Sequence, residues 1–309
     1  MVSDVVIIPA ASARLELLVR VGCRLVYEAT GTASLLLNLR PRTDPQQALR
    51  QEMISFDLGS PSEEFADVNG NVVHRISLHP GRHEIRHDAL VAVSSLPDRH
   101  DLSDPTPIQP RDLPPALLRF TLPSRYCDSD KLINFAWQRF GAIEHGLPRI
   151  LAICDWLHQN VEYRYGSGQP DLSAWDVLQR GHGVCRDFAH ALVALCRTFN
   201  LPARYVSGHL PDIAFPDPGN HMDFHAYAEV YLGGRWHTFD ARFNVPRIGR
   251  IKVASGLDAV DGAFSTIYGG ASLAWSEVWA YQVAPGVVSV GDPIDLSKRL
   301  DNRWEILTG

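Results

Sequence analysis

The sequence predicts an α+β protein in which a β-rich, sandwich-like domain precedes a domain of helices followed by antiparallel strands. Three observations carry this. The first 95 residues break into short β-prone runs separated by turn residues; seven prolines crowd the stretch from Leu96 to Pro123; and beyond them helical periodicity gives way to strand-like alternation. The expected boundaries are 1–95 for the β-rich domain, 96–124 for a Pro-rich linker or arm, and 125–309 for the second domain.

In the first domain, Arg14 to Tyr27 alternates loosely with β-branched and aromatic residues, and Ser34 to Leu39 is a short apolar run ended by Arg40-Pro41. Glu64 to Val68 reaches Asn69-Gly70, a hairpin turn signal, and Val72 to Leu78 follows as its partner. The prolines at 97, 105, 107, 110, 114, 115 and 123 remove backbone donors and exclude continuous helix or sheet. Ser129 to Phe140 and Ile150 to Asn160 are amphipathic, and Leu172 to Arg180 forms a further short helix. Val184 to Asn200 is the clearest helix, with Phe188, Leu192, Leu195 and Phe199 on one apolar stripe. Asn200-Leu201-Pro202 ends it. Ala203 to Ser207, His225 to Leu232, Arg235 to Asp240 and Glu277 to Val283 then read as strands.

The chain has 309 residues, 45% of them hydrophobic and 21% charged, enough to bury a core in about two domains. Its net charge of -6, with no Lys/Arg cluster, argues against a nucleic-acid partner. Val5 to Ile8 is stopped by Pro9 and follows no basic region, so neither a signal peptide nor a membrane span is expected. The five cysteines are odd in number and scattered, with no CxxC pair. A disulfide framework or zinc ribbon is therefore not expected, and the usage suits a reducing, cytoplasmic setting.

One of those cysteines sits where chemistry is favoured. Cys185 follows Gly181-His182-Gly183-Val184 and opens the strongest helix. Unpaired backbone N–H groups at a helix N-terminus favour an anion, so the thiol pKa should fall, and the same groups can hold an oxyanion. The plainer alternative is a buried cysteine acting as a small hydrophobe. Downstream, strict alternation from His225 to Leu232 puts His225, Tyr227, Glu229 and Tyr231 on one strand face. Gly233-Gly234 is a two-residue hairpin turn. That turn pairs Leu232 with Arg235, His225 with Arg242 and Tyr227 with Asp240. Asp240 then becomes a same-face diagonal neighbour of His225, within reach of an imidazole N–H. Glu229 and Asp223 are the competing acids. Cys185 as nucleophile, His225 as base and Asp240 as orienting acid form the expected catalytic set.

Gly183-Val184-Cys185-Arg186-Asp187-Phe188-Ala189-His190, Leu201 to Gly208, Asp223-Phe224-His225-Ala226 and Trp236-His237-Thr238-Phe239-Asp240 together resemble the bacterial transglutaminase-like superfamily. The resemblance covers residues 125–285 well and the N-terminal part loosely. It implies a papain-like Cys-His-Asp core, with Cys185, His225 and Asp240 in those roles, preceded by a β domain. Tyr227 keeps the aromatic residue the family often has two positions after the histidine. Ala241 stands where proline often follows the aspartate. The resemblance also covers Gly256 to Ala259 and Asp261 to Phe264, expected to shape the cleft wall.

The implied activity is thiol-dependent acyl transfer on an amide or peptide substrate through a thioester. Hydrolysis by a cysteine peptidase or amidase is favoured, because no second-substrate site is visible. Transfer from protein glutamine to an amine, and a non-catalytic peptide-binding module, are the alternatives. No metal or organic cofactor is implied, no membrane partner is expected, and the oligomeric state is left open. His190 and Asp187 are read as helix packing and dipole complement, and Tyr163 and Tyr165 as core. His79, His83 and His87 are read as a solvated strand edge, since Pro80-Gly81 breaks any helix that would carry all three. The loop from His209 to His221 is a candidate lid.

Overall fold

A computed structural model describes residues 14–56, 62–98, 105–216 and 221–301. The Val5 to Ile8 run and its Pro9 lie outside the described residues. The strands are β1 (Leu17–Asn38), β2 (Gln47–Phe56), β3 (Ser62–Ala66), β4 (Val72–Leu78) and β5 (Gly81–Val93), then β6 (Glu162–Tyr163), β7 (His182–Gly183), β8 (Ala203–His209), β9 (His225–Leu232), β10 (Arg235–Phe239), β11 (Ile251–Gly256) and β12 (Ser265–Val283). The helices are α1 (Pro115–Leu118), α2 (Ile133–Phe140), α3 (Leu147–Asn160), α4 (Ala174–Arg180), α5 (Cys185–Thr198) and α6 (Ala259–Gly262). The fold is mixed α and β, a β-rich sheet beside a layer of helices packed on a second antiparallel sheet.

The N-terminal β layer is one continuous six-stranded sheet. The two runs expected as separate strands, Arg14–Tyr27 and Ser34–Leu39, merge into the 22-residue β1. Thr30-Gly31-Thr32 reads as a break in the sequence, but in the structure it is only a register irregularity, between Ala29 and Ala33. On one side β1 pairs with β5 over its first half and with β4 over its second. Along the other side runs β12. Cys23, Leu25, Leu35, Leu37, Ile76, Ile85 and Val278 nevertheless share one apolar cluster, so both halves of the sheet close over a common core.

β12 corrects the expected grouping of Glu277–Val283 with the strands of the second domain. It crosses back and hydrogen-bonds β1 from Leu18↔Val283 to Leu37↔Ser265. β1 alone would leave a long row of unpaired donors and acceptors on that side, and β12 satisfies them.

Among its described residues the proline-dense segment forms only single helical turns, at Pro110–Asp112, α1 and Arg119–Thr121. Beyond it, α5 lies against the antiparallel sheet β10-β9-β8-β11. α5 is buried from Asp187 to Arg197 on every face, not along one stripe. Its polar residues are paired for that position. Arg197 donates to the carbonyls of Leu122, Ala203 and Leu257, and His190 Nε2 accepts the Ala259 N–H at 3.1 Å. Such partners offset most of the cost of burying these polar groups.

The two layers meet through Val19, Val21, Val91 and Val93 of the N-terminal sheet, packed on Ile213 and Ile251. Side chains seal the seam. Arg42 donates to the Ser255 hydroxyl, and Gln47 bridges the backbone of Lys252 in both directions. His87 is buried, not on a solvated edge, with Nε2 2.9 Å from Glu52 Oε1. Among the described residues no cluster of three metal-ligating side chains occurs, and no helix is long and apolar enough to cross a membrane.

Candidate active site

Two local structures place the thiol. α4 begins with a capping box, in which Ser173 and Asp176 satisfy each other's backbone N–H groups, and ends at Gly181 in the left-handed region, φ 69°. The chain turns there into β7 and enters α5 at Cys185. Asp187 folds back so that its Oδ2 accepts the Val184 N–H at 3.0 Å, and its Oδ1 meets Arg186 at 3.3 Å. The carboxylate therefore caps the helix it belongs to. Gly183 makes room for it: a Cβ there would sit 2.7 Å from Asp187 Cβ. Cys185 and Arg186, at the very start of the helix, have no intrahelical acceptor for their own N–H groups.

The hairpin places the histidine. Gly233 and Gly234 take φ 53° and 83°, and the ladder runs from Leu232↔Arg235 to Ala228↔Phe239. That is the register counted from the two-glycine turn. The ladder stops at Phe239, before His225 and Arg242 could pair, and the freed chain turns so that Asp240 reaches back. His225 Nε2 lies 2.7 Å from Asp240 Oδ2. Asp240 Oδ1 accepts the Arg242 N–H at 3.1 Å, and its Oδ2 also meets Arg250 Nη2 at 2.9 Å. Arg250 in turn holds Asp98 at 2.7 Å. Ala241, in the position where proline often occurs in the family, is buried beneath this turn.

The competing acids are engaged elsewhere. Glu229 is buried between Arg204 and Lys252, both at 2.6 Å. Asp223 accepts the Phe224 N–H at 2.7 Å and lies on the cleft wall.

Cys185 and His225 line one cavity of about 330 Å³, together with Tyr163, Tyr165, Asp223 and Arg242. Cys185 Sγ contacts the Phe224 carbonyl oxygen at 3.8 Å, one residue before the histidine. Phe224 is itself fixed from the β layer: its ring stacks on Phe264 with centroids 4.5 Å apart and joins the apolar cluster under β1. The N-terminal sheet thus sets the backbone that faces the sulfur. Tyr163 and Tyr165 both line the cavity; Tyr163 also packs against the apolar core as expected, whereas Tyr165 is exposed, a correction to its reading as core. Tyr163 ends β6, which runs beside β7, and Tyr165 follows in the turn, so this segment and the approach to Cys185 reach the cleft together. Of the candidate lid from His209 to His221, residues 217–220 lie outside the described residues. Leu210, Asp212 and His221 line the cleft.

Electrostatics correct one expectation. Burial pushes the Cys185 thiol up to about 11, against the pull of the Arg242 guanidinium, and the Asp223 carboxylate adds to the rise. The helix N-terminus favours a thiolate, but desolvation outweighs it in this enclosed position. Burial likewise lowers the His225 pKa, against the Asp240 carboxylate that favours the imidazolium. Burial also opposes the charge of Asp240, yet His225 and Arg250 hold it well below the usual carboxylate range. The resting arrangement is a thiol, a neutral imidazole and an ionised carboxylate.

Residues outside this line have structural work. His190 stacks on Tyr126 at 5.1 Å and packs against Tyr205 at 5.0 Å. Asp258 Oδ1 accepts the Val260 N–H and Oδ2 the Tyr126 N–H, and Asp261 accepts the Leu257 N–H; the 256–264 stretch packs on α5 through Ala259 and is not among the residues lining the cavity, a correction to its reading as cleft wall. The hairpin count sets Arg242 opposite His225, but nothing local in the sequence marks its side chain as part of the cleft wall.

The transglutaminase-like superfamily profile matches residues 137–241. A crystal structure of a candidate cysteine protease from Cytophaga hutchinsonii is similar at a TM-score of 0.78 and 31% identity, covering 88% of this chain and 92% of that one. An uncharacterised protein of Mycobacterium leprae is 25% identical over 235 residues, 69% of this chain and 78% of its own length. The matched segment spans Cys185, His225 and Asp240, and the structural likeness extends through both sheets. The chain belongs to the transglutaminase-like superfamily.

Proposed function

We propose that the protein is a thiol-dependent acyl-transfer enzyme that cleaves an amide or peptide bond, with water as the favoured acceptor. The observation that carries this reading is the His225–Asp240 hydrogen bond of 2.7 Å, on a histidine that shares its cavity with a cysteine opening a helix. Nε2 is engaged by Asp240, so Nδ1 is the ring nitrogen that exchanges a proton with the sulfur.

Cys185 Sγ attacks the carbonyl carbon as His225 Nδ1 takes the thiol proton. Asp240 fixes the tautomer and stabilises the imidazolium that forms. The oxyanion is met by the N–H groups at the start of α5. His225 then protonates the leaving amine, the C–N bond breaks, and a thioester on Cys185 remains. Water, deprotonated by His225, attacks the thioester and releases the acid and the thiol. A thiol near 11 and a neutral imidazole mean that the proton moves with the attack, not before it.

These steps use only the thiol, the imidazole and the carboxylate, and call on no metal or organic cofactor. Cysteine usage favours a reducing, cytoplasmic setting, which cell fractionation tests. Hydrolysis is tested with a glutamine-bearing peptide and a labelled amine, reading acid product against amide product by mass. Acid as the main product supports the proposal; efficient incorporation of the amine overturns the preference for water and leaves the thioester step standing.

A further inference from the structure

The cleft holds a cation whose placement the proposed acyl-transfer steps do not use. Arg242 is anchored at both ends of its own peptide units. Its N–H donates to Asp240 Oδ1 at 3.1 Å, and its carbonyl oxygen lies 2.9 Å from His158 Nδ1. The guanidinium carbon sits 3.6 Å from the centroid of the Tyr163 ring and 4.4 Å from that of Phe243. Two rings and two backbone bonds therefore hold one positive charge on the wall of the cavity that contains Cys185 and His225.

Its neighbours make the contrast. Arg186 holds Asp187, Arg247 holds Asp212, and Arg250 holds both Asp98 and Asp240. Among the described residues, Arg242 has no carboxylate within 4.0 Å. Of the acids lining the cleft, Asp212 is engaged by Arg247 and by Arg299. Asp223 feels Arg242 electrostatically, but burial discourages its charge and its oxygen is engaged by the Phe224 N–H. The thiol is protonated at rest, so it does not neutralise Arg242 either. A pre-positioned, half-buried guanidinium without an anion, beside a nucleophile, suits an anionic ligand group with the fork geometry of a carboxylate.

We infer that Arg242 is a specificity residue that receives a carboxylate of the substrate close to the scissile carbonyl. The substrate class is then an amide or peptide with an acidic side chain, or a free carboxylate, next to the bond that is attacked. This rests on the acyl-transfer reading and narrows its substrate.

The test uses two alkylating agents of nearly equal size, iodoacetate and iodoacetamide, which differ by one carboxylate. Each forms the same S–CH2 bond at Cys185 and releases iodide. The rate at Cys185 is read by peptide mass mapping at pH 8, and the iodoacetate-to-iodoacetamide ratio is divided by that for free cysteine. A charge-assisted pair predicts a normalised ratio of about ten or more in the native protein. In R242Q it falls to about one, and in R242K it is intermediate. Any effect of Arg242 on thiol ionisation changes both rates alike and cancels in the ratio. A normalised ratio near one in the native protein, or an elevated ratio that persists in R242Q, overturns the inference while leaving Cys185 reactive. Failure of both reagents to label Cys185 overturns the acyl-transfer reading and this inference with it.

Discussion

At the scale of single residues, the orientation of the imidazole is decided by one hydrogen bond. With Nε2 on Asp240, the proposed mechanism uses Nδ1 for the proton; an amide in place of Asp240 loses the negative charge that stabilises the imidazolium. We expect D240N to keep the fold, through its remaining contacts with Arg242 and Arg250, and to lower kcat by about 10⁴-fold, the scale of the same exchange in serine triads. Steady-state kinetics with circular dichroism as a folding control checks this. The pH dependence follows from the sign of the His225 shift. The base works neutral, and burial lowers its pKa, so the neutral form persists below the usual histidine value. The acid limb of kcat/KM should therefore lie below pH 6.5; a limb at or above that value contradicts the assignment.

The three residues of the candidate site could be singled out because each sits next to strong local punctuation. Cys185 follows a glycine-rich turn into the clearest helix, and His225 and Asp240 lie at counted distances from Gly233-Gly234. The thiol's protonation was not legible. A helix N-terminus can be seen in sequence, but the desolvation that overrides it depends on packing from distant segments, among them Phe224 and Tyr205, that folding brings against Cys185. Arg242 was missed for a related reason: its unpaired state is a statement about the whole cleft.

At the scale of elements, two turns do the positioning. The glycine hairpin sets the register of β9 and β10, and the β7-to-α5 entry sets the sulfur. Gly183 is needed there for space, since its φ is not in the left-handed region but its Cβ would meet Asp187. G183A should displace the first turn of α5, at a cost of about 1–3 kcal/mol in stability. Because a misplaced nucleophile loses more than stability, kcat/KM should fall by about 10²-fold. Thermal unfolding and kinetics on the same sample separate the two effects. Helices α2 to α5 were readable because their apolar periodicity and, for α4, the Ser173–Asp176 capping box are local. β1 was not: Thr30-Gly31-Thr32 looks like a loop, and it is pairing on both sides of it, with β12 over two hundred residues away and with β5 and β4, that makes one strand of the two runs.

At the scale of the whole molecule, the β layer is part of the site's construction. It supplies the core that grips Phe224, and its seam with the second sheet is lined by buried charge pairs. Burial disfavours the charge of Glu229, but Lys252 and Arg204 reverse this and hold it at about 2; Glu52, with His87 and Arg40, is likewise held at about 2. Both lie below the ordinary glutamate value of 4.5, so their contribution to stability is complete above that pH and is lost as pH falls towards 2. Acid unfolding monitored by fluorescence should fall in this window. E229Q should cost about 3–5 kcal/mol at neutral pH and flatten the acid dependence. An unchanged acid profile in E229Q would contradict the pairing. The return of β12 to the first sheet was illegible for the same reason as the continuity of β1: strand partners far apart in sequence leave no local mark.

The central claim is that Cys185, His225 and Asp240 act as one acyl-transfer unit. Intact-protein and peptide mass spectrometry after rapid acid quench with a mixed amide library, including acidic members, tests it most directly. The account predicts an acyl adduct on Cys185, absent in C185A and slower to form in H225A. An adduct on another residue, or turnover that survives in C185A, would contradict it.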